Sequence, residues 1–393
     1  MERGDVDKKE IGKNKPKLVI ASDTYLPRWD GISRFLYELI PLLKKRFEIT
    51  IIAPRFSGKR PDIEGVNEVL MPLRKIRVGD FEFSKTDKYR MKSVIREADL
   101  IWTHTIGPIG RRTIRMGRTF KKKIIAYVHS IEWELFSRAM GKPLLYNPIS
   151  MLSKGFVRNI YNRCDVLMMP SRESANLFTW YKINTRSTIA PLGVDTDEFK
   201  PPESKHEAKK SLGFSPSTNV IGYCGRIAHE KDLKTLVRAY QRVRDDFEDT
   251  RLVIVGEGLE ELSSRFARIK GVMLAGSQNN VVPYYQAMDM YVLPSLTETT
   301  SLSTLEAMSC EIPVIATPVG EVKYYVKNNR NGFKFSKGNS FELAKHLEKL
   351  LSDDKLRNRL GKNGRKLVEE EYSWKKASEG IVDCLIGMVD KSR

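Results

Sequence analysis

Short apolar runs alternate along the chain with amphipathic stretches, from residue 17 to residue 318. An apolar run of four to eight residues is typical of a buried strand, whereas apolar residues repeated every three to four positions predict a helix. The runs that we predict as strands cover residues 17–23, 48–54, 99–104, 123–129, 166–171, 219–226, 251–258, 271–277, 290–295 and 313–318. Strands that alternate with helices in this way favour parallel sheets covered by helices.

The alternation breaks near residue 200, in the Pro-, Gly- and charge-rich stretch APLGVDTDEFKPPESKHEAKKSLG. A chain of 393 residues also exceeds what one hydrophobic core usually supports. We therefore predict an α/β fold of two Rossmann-like doubly wound domains that face a central cleft, with one domain at 1–198 and the other at 199–373. Ligands of such sheets bind beyond the carboxyl ends of the strands, so the cleft is the expected site.

Composition narrows the class of protein. A hydrophobic content of 41% with 30% charged residues is typical of a soluble globular protein. No apolar run approaches the roughly 18 residues of a transmembrane helix, and the first residues are charged, so we expect a cytoplasmic protein. The four cysteines are scattered without C-x-x-C spacing, which argues against a zinc site and a disulfide framework.

The net charge of +19 lies mostly in the first half of the chain. Residues 1–200 hold 38 Lys and Arg against 23 Asp and Glu, a balance of +15, and the remaining +4 falls on residues 201–393. The densest basic run, from Arg111 to Lys123, contains no acidic residue. One interpretation of this run is a solvated helix face. The interpretation that we favour is attraction to an anionic membrane surface. We expect no nucleic acid partner, because no recognised nucleic-acid motif accompanies the charge.

The segment TETTSLSTLE places Glu298 and Glu306 eight positions apart, after one predicted strand and along the next helix. Glu298 to Ser301 would form the turn, whose free N–H groups make an anion site suited to a phosphate. A glutamate on either side could then bind the two sugars that flank a diphosphate. The spacing alone leaves open a second interpretation, in which Glu298 caps the helix and Glu306 is solvated.

Five segments together resemble the retaining family 4 glycosyltransferases of GT-B architecture. They are SDTYLPRWDGISRFLYEL, APLGVDTDEF, YCGRIAHEKDLKTLVRAY, LVIVGEG and PSLTETTSLSTLEAMSCEIPVIAT, in the order that the family has them over nearly the full chain. The resemblance implies that Glu298 contacts the donor sugar and Glu306 the ribose. It further implies that Arg226 and Lys231 bind the diphosphate, where two cations would stabilise the growing negative charge.

The resemblance implies two more roles in the cleft and a full set of site residues. Gly31 would let the backbone approach the phosphates at a helix start, and His129 would lie near the donor sugar, whereas His104 is structural or on the acceptor side. The implied catalytic residues are His129, Arg226, Lys231 and Glu298. The implied donor-binding residues are Gly31, Arg226, Lys231, Met273, Gly276, Glu298, Thr300, Ser301, Leu302 and Glu306, with the base near 273–276.

Family members retain the configuration of the sugar without a dedicated protein nucleophile. The resemblance therefore implies a hexosyl transfer from a nucleotide sugar with no cofactor and no essential metal, since Asp195 and Asp197 lie in the interdomain element. It also implies that the last helix, 374–393, packs back on the first domain. The loop at 23–33 is similar to that of members with lipid or lipid-linked acceptors, so we expect a peripheral membrane enzyme.

Four positions depart from the family pattern. Ser301, Glu311 and Glu321 stand where glycine is usual, and Tyr324 stands where an acid is expected; serine at position 301 also favours helix starts.

Two other functions stay open. One is a nucleotide-sugar 2-epimerase of the same fold, which would interconvert free UDP-sugars, and the other is a non-catalytic basic protein that binds nucleic acid or membrane.

Overall fold

The computed structural model describes residues 15–78, 81–139 and 143–390. Most of the strands of the first half join one parallel sheet, and two of them form a separate antiparallel hairpin. The strands are β1 (Lys17–Ala21), β2 (Glu48–Pro54), β3 (Asn67–Met71), β4 (Leu73–Val78), β5 (Phe81–Ser84), β6 (Leu100–Thr103), β7 (Lys123–Tyr127), β8 (Val166–Met169) and β9 (Ser187–Ile189). The sheet order is β3-β2-β1-β6-β7-β8-β9, and β4 pairs with β5.

Helices cover both faces of this sheet. They are α1 (Gly31–Leu43), α2 (Lys88–Glu97), α3 (Pro108–Thr119), α4 (Glu132–Ala139), α5 (Tyr146–Tyr161) and α6 (Arg172–Trp180). The near-continuous apolar strands are buried on both sides, and each face of the sheet has its own hydrophobic cluster. Asp30 fixes the start of α1, because its carboxylate accepts from the N–H groups of Ile32 (3.1 Å) and Ser33 (2.9 Å).

The second half repeats the arrangement with six parallel strands in the order β12-β11-β10-β13-β14-β15. These are β10 (Asn219–Cys224), β11 (Thr250–Val255), β12 (Val272–Gly276), β13 (Met290–Leu293), β14 (Val314–Ala316) and β15 (Gly332–Lys334). The helices are α7 (Lys205–Ser211), α8 (Leu233–Val243), α9 (Glu260–Phe266), α10 (Val282–Ala287), α11 (Leu302–Ser309), α12 (Val322–Tyr325), α13 (Ser340–Leu351), α14 (Asp354–Glu371) and α15 (Trp374–Asp390).

The last helix belongs to the first domain by its contacts. Ile381, Leu385 and Val389 of α15 are buried in the core cluster that also contains α1. The chain thus crosses between the domains twice, and the two crossings are bonded together: Val194 N–H donates to Tyr372 O (2.8 Å), and the N–H of Trp374 donates to Val194 O (2.8 Å). The exact domain limits at residues 198 and 373 stay a prediction.

The two-domain, doubly wound fold is confirmed, and every predicted strand is present with ends shifted by a few residues. Five strands were not predicted: β3, β4, β5, β9 and β15. Three of these lie at sheet edges and two form the hairpin, so they bury fewer side chains than a central strand and carry a weaker apolar signal. Along the described part of the chain, no helix is both long enough and apolar enough to cross a bilayer.

Candidate functional site

A cleft of about 1320 Å³ lies between the domains at the carboxyl ends of their strands. Its walls include His129 after β7, Arg226 after β10 and Glu298 after β13. Parallel sheets present these ends to ligands, so the position agrees with the predicted site. The domains also touch beside the cleft, where the Thr299 hydroxyl donates to the carbonyl oxygen of His129 at 2.7 Å.

Glu298 is held by two donors of its own domain. The Lys231 ammonium forms an ion pair with its Oε1 atom, and the Ser295 hydroxyl donates to the same oxygen at 2.7 Å. The helix α11 starts four residues later, and no side-chain hydrogen bond caps it. Glu298 is therefore not a helix cap, and the structure pairs it with one of the cations predicted for the diphosphate.

Glu306 is buried on α11, with only 5% of its surface exposed, so it is not a solvated residue. The Tyr285 hydroxyl donates to Oε2 at 2.8 Å, and Nη1 of Arg34 lies 3.3 Å from Oε1. Tyr285 belongs to the second domain and Arg34 to the first. The second glutamate of the pair is thus fixed from both sides of the cleft.

Arg34 lies at the centre of an acidic cluster that we did not predict. Besides Glu306, its guanidinium pairs with Glu38 (2.8 Å) and Glu198 (3.3 Å), and it stacks 4.5 Å from the ring of Phe199. Burial raises the pKa of Glu38 to about 7, opposed by Arg34 and assisted by the nearby carboxylates. The i,i+4 pair of Arg34 and Glu38 on the predicted helix was the available signal.

Arg226 connects the second domain to the hairpin of the first. Its guanidinium pairs with Glu230 at 2.6 Å and lies 4.9 Å from the ring centroid of Phe81 in β5. Glu230 is 1% exposed, and its main-chain carbonyl accepts from Leu296 N–H at 2.8 Å. The loop of Arg226 and the loop of Glu298 are therefore joined, which brings both predicted cations to one end of the second sheet.

The two histidines of the first domain form a neutral pair. Nδ1 of His104 lies 2.9 Å from Nε2 of His129, so one ring donates to the other. Burial lowers the pKa of His129 to about 3, and it lowers the pKa of His104 with the help of the neighbouring ring. His129 thus faces the cleft as an uncharged group at neutral pH.

The start of α11 differs from the expectation for Ser301. Its backbone has a left-handed φ of 65°, and its hydroxyl contacts that of Thr304 (2.8 Å) instead of a helix N–H. Serine is therefore not acting here as an N-cap, and the reason we gave for its presence was wrong. Glu311 also has a positive φ, 59°, directly after the C-cap of α11. Both positions have the conformation that favours glycine.

The other two departures lie at a contact between the domains. Lys323, close to Glu321, pairs with Glu173 of the first domain. Tyr324 is 53% exposed. Gly320, which this chain retains, has a φ of 47°, and a Cβ there would lie 2.2 Å from Thr299 O, so a side chain would displace the loop beside Glu298.

The remaining predicted residues fall in and around the cleft. Gly31, Ser301 and Leu302 line it, although two N–H groups next to Gly31 are already bonded to Asp30. Thr300 is 1% exposed. Met273 packs on the core of the second domain and Gly276 ends β12, while the next residues, 277–279, line the cleft. Their roles toward a ligand stay predictions.

The interdomain element carries no metal cluster in the described ranges, where no group of three or more His, Cys, Asp or Glu side chains is arranged to hold an ion. Oδ1 of Asp195 accepts from the N–H groups of Asp197 (2.9 Å) and Glu198 (3.1 Å), which is a structural use of the D-x-D residues. The expectation of a metal-independent protein stays a prediction.

Two family models match the chain, one per domain. Residues 29–198 match Glycosyltransferase Family 4, and residues 204–367 match Glycosyl transferases group 1. Together they span most of both sheets and all the cleft residues discussed above.

Relatives match over nearly the full length. The GDP-mannose-dependent alpha-(1-6)-phosphatidylinositol monomannoside mannosyltransferase of Mycolicibacterium smegmatis is 24% identical, over 94% of this chain and 98% of the relative. The UDP-Gal:alpha-D-GlcNAc-diphosphoundecaprenol alpha-1,3-galactosyltransferase of Escherichia coli is 25% identical, over 95% and 98%. The structure of WaaG, a glycosyltransferase involved in lipopolysaccharide biosynthesis, superposes with a TM-score of 0.72 at 17% identity, covering 94% of this chain and 100% of WaaG.

Proposed function

Because the chain belongs to the group 1 glycosyltransferases, with a family 4 N-terminal half and the GT-B fold, we propose that it is a retaining hexosyltransferase. It moves the sugar of a nucleotide-diphosphate sugar to a hydroxyl of a membrane lipid or lipid-linked glycan. The two relatives named above support this substrate class, since their names carry GDP-mannose or UDP-galactose as donor and a phosphatidylinositol or diphosphoundecaprenol acceptor.

The observation that carries the proposal is the placement of the two glutamates and two cations. Glu298 lies in the turn before α11 and Glu306 in the middle of that helix, and Arg226 and Lys231 lie at the same end of the second sheet. A nucleotide sugar placed here has its ribose at Glu306, its diphosphate at the cations and the α11 start, and its hexose at Glu298. The ribose, the diphosphate and the hexose follow one another in the same order along a nucleotide sugar.

The same cations supply the chemistry in this proposal. Negative charge grows on the diphosphate as the glycosidic bond breaks, and fixed cations stabilise it most in a site that excludes water. The leaving phosphate oxygen takes the proton of the acceptor hydroxyl, which attacks on the same face of the sugar. The neutral His129 donates or accepts a hydrogen bond beside the hexose, and neither a cofactor nor a metal takes part.

The proposed enzyme works as a peripheral protein on the cytoplasmic face of the membrane. The net charge of +15 on residues 1–200 supports attraction to anionic lipid, which contributes about 1 kcal/mol for each basic residue near the surface.

Thermal unfolding with UDP-, GDP- and ADP-sugars and the plain diphosphates tests the function. One nucleotide should raise the stability of the wild type by about 2.7 kcal/mol at a concentration near 100 times its Kd. Glu306→Ala should reduce this shift, whereas Glu348→Ala on α13 should not. No shift with any nucleotide would refute the donor site, and interconversion of free UDP-sugars without acceptor would favour the 2-epimerase.

A further inference from the structure

Beyond the histidine pair, the part of the first-domain wall formed by α4 and α5 is mainly apolar. Ile131, Leu135 and Phe136, at and before α4, line the cleft together with Ile149 and Phe156 of α5. Sugars and phosphates need hydrogen-bond partners, and an apolar wall offers them none. None of these side chains is used by the proposed donor.

The apolar surface continues from the cleft to the outside of the protein along α5. Phe156 is 39% exposed, Leu152 75% and Met151 71%, and Leu144 before the helix is 94% exposed. The last turns of α5 are buried against the core of the first domain. Exposed apolar side chains that cluster in this way mark a binding surface rather than a solvated helix.

A cation borders the polar and apolar parts of this surface. The guanidinium of Arg111, in the first turn of α3, lies 5.8 Å from the ring centroid of Phe156, and both residues line the cleft. Arginine binds phosphate through several N–H donors, and its flat face stacks on aromatic rings. A molecule with a phosphate at the head of a hydrocarbon chain matches this pairing.

We propose that the groove formed by the start of α3 and by α4 and α5 binds the hydrocarbon chain of a lipid-phosphate acceptor. Arg111 binds the phosphate, and the chain lies along Phe136, Ile149 and Phe156 toward Leu152. The inference rests on the proposed function, because it places the reactive hydroxyl at the polar end of the groove, beside His129. It assigns a hydrocarbon site to residues that no donor contact explains.

Calorimetric titration with octyl, decyl and dodecyl phosphate, each below its micelle concentration, tests the groove directly. Affinity should rise about two- to fourfold with each added methylene, since burying one CH2 group is favourable. Inorganic phosphate, which has no chain, should bind far more weakly. Phe156→Ser should flatten the dependence on chain length, and Ile149→Ser gives a second groove variant if the first does not fold.

Phe341→Ser is the matched control for Phe156→Ser. Phe341 is 63% exposed on α13, outside the cleft, and the guanidinium of Arg242 lies 3.7 Å from its ring centroid. This variant should bind every alkyl phosphate as the wild type does. Equal losses in the two variants would overturn the proposal, as would an affinity independent of chain length.

Vesicles of phosphatidylglycerol and phosphatidylcholine separate an acceptor groove from a simple membrane contact. If Leu152→Glu abolishes vesicle binding while the wild type shows no chain-length dependence, α5 contacts the bilayer and the groove proposal is wrong. Nucleotide-induced thermal shifts are measured on the same samples. A thermal shift with nucleotide, together with an alkyl phosphate affinity that is independent of chain length, would refute only the groove. An affinity that rises with chain length, without a thermal shift from any nucleotide, would refute only the proposed function.

Discussion

The two walls of the cleft are built from different kinds of side chain. On the second-domain wall, Glu298 and Glu306 are charged groups with bonded partners, namely Lys231 and Ser295 for the first and Tyr285 for the second. On the first-domain wall, the histidines are neutral, and apolar side chains of α4 and α5 lead to the surface.

This difference shows how one cleft can serve two chemistries. Buried charges are stable only when paired, so the wall suited to phosphates and sugar hydroxyls needs its own internal network. An apolar wall needs no such network, and it can remain open to the outside. Charged side chains of the first domain line other parts of the cleft, and one of them, Arg34, pairs with Glu306 of the second domain.

Replacing Arg34 should have the largest effect on stability. Arg34→Met leaves Glu38, Glu198 and Glu306 without their shared cation, and breaking a buried pair costs about 3–5 kcal/mol. Urea unfolding measures the loss. Arg60→Met, which breaks the more exposed pair with Glu68, is the control and should cost less than about 1 kcal/mol. Equal losses would show that the cluster is not effectively buried.

Replacing Lys231 should act on the reaction more than on the fold. Lys231→Ala removes one of the two cations proposed to stabilise the leaving diphosphate, so kcat should fall about 100- to 1000-fold. Steady-state kinetics with the donor identified by thermal shift give the value. Lys234→Ala, three residues along and outside the cleft, should leave kcat within about twofold. A normal kcat in Lys231→Ala would remove this residue from the mechanism.

Glu38 should make stability depend on pH in an unusual direction. Its pKa in the folded protein is about 7, above the ordinary 4.5, so between these values the folded protein binds the extra proton. Stability from this group is therefore present at low pH and lost as pH rises toward 7, by about 1–2 kcal/mol after allowance for solvent screening.

Glu38→Gln removes this titration and provides the comparison. The difference in unfolding free energy between wild type and variant should change steadily from pH 5 to pH 7, with the wild type losing ground as pH rises. A difference that stays constant over this range would mean that Glu38 ionises normally.

The smallest effect should come from relieving the left-handed backbone at the two ends of α11. Ser301→Gly and Glu311→Gly should each stabilise the protein by about 1 kcal/mol, since left-handed conformations cost non-glycine residues about that much. Lys362→Gly in the exposed interior of α14 should destabilise it by a similar amount. Melting temperatures that fall in all three variants would show that the backbone at 301 and 311 is not strained.

The parts of the site that depend on short stretches of chain could be predicted from the sequence. Apolar runs marked the central strands, and the turn after β13 with its eight-residue glutamate spacing marked the donor side, because both signals lie within short stretches of chain. These residues do line the cleft, together with Arg226, Lys231 and His129.

Other parts required the tertiary structure. The Arg34 cluster unites residues 34, 198 and 306, which no local pattern relates. Serine is a residue type that favours helix starts, but the backbone of Ser301 is left-handed, which the residue type alone does not predict. The apolar groove could not be predicted from the sequence, because α5 has apolar side chains at both buried and exposed positions.

The double crossing between the domains has a mechanical consequence. Since the segment around Val194 and the segment from Tyr372 to Trp374 are hydrogen-bonded side by side, they act as one hinge of two tethers. Two tethers held side by side favour rotation of the domains about that hinge over a slide of one cleft wall past the other. A protease that severs either tether leaves the domains joined by the other, while removal of α15 strips the first domain of part of its core.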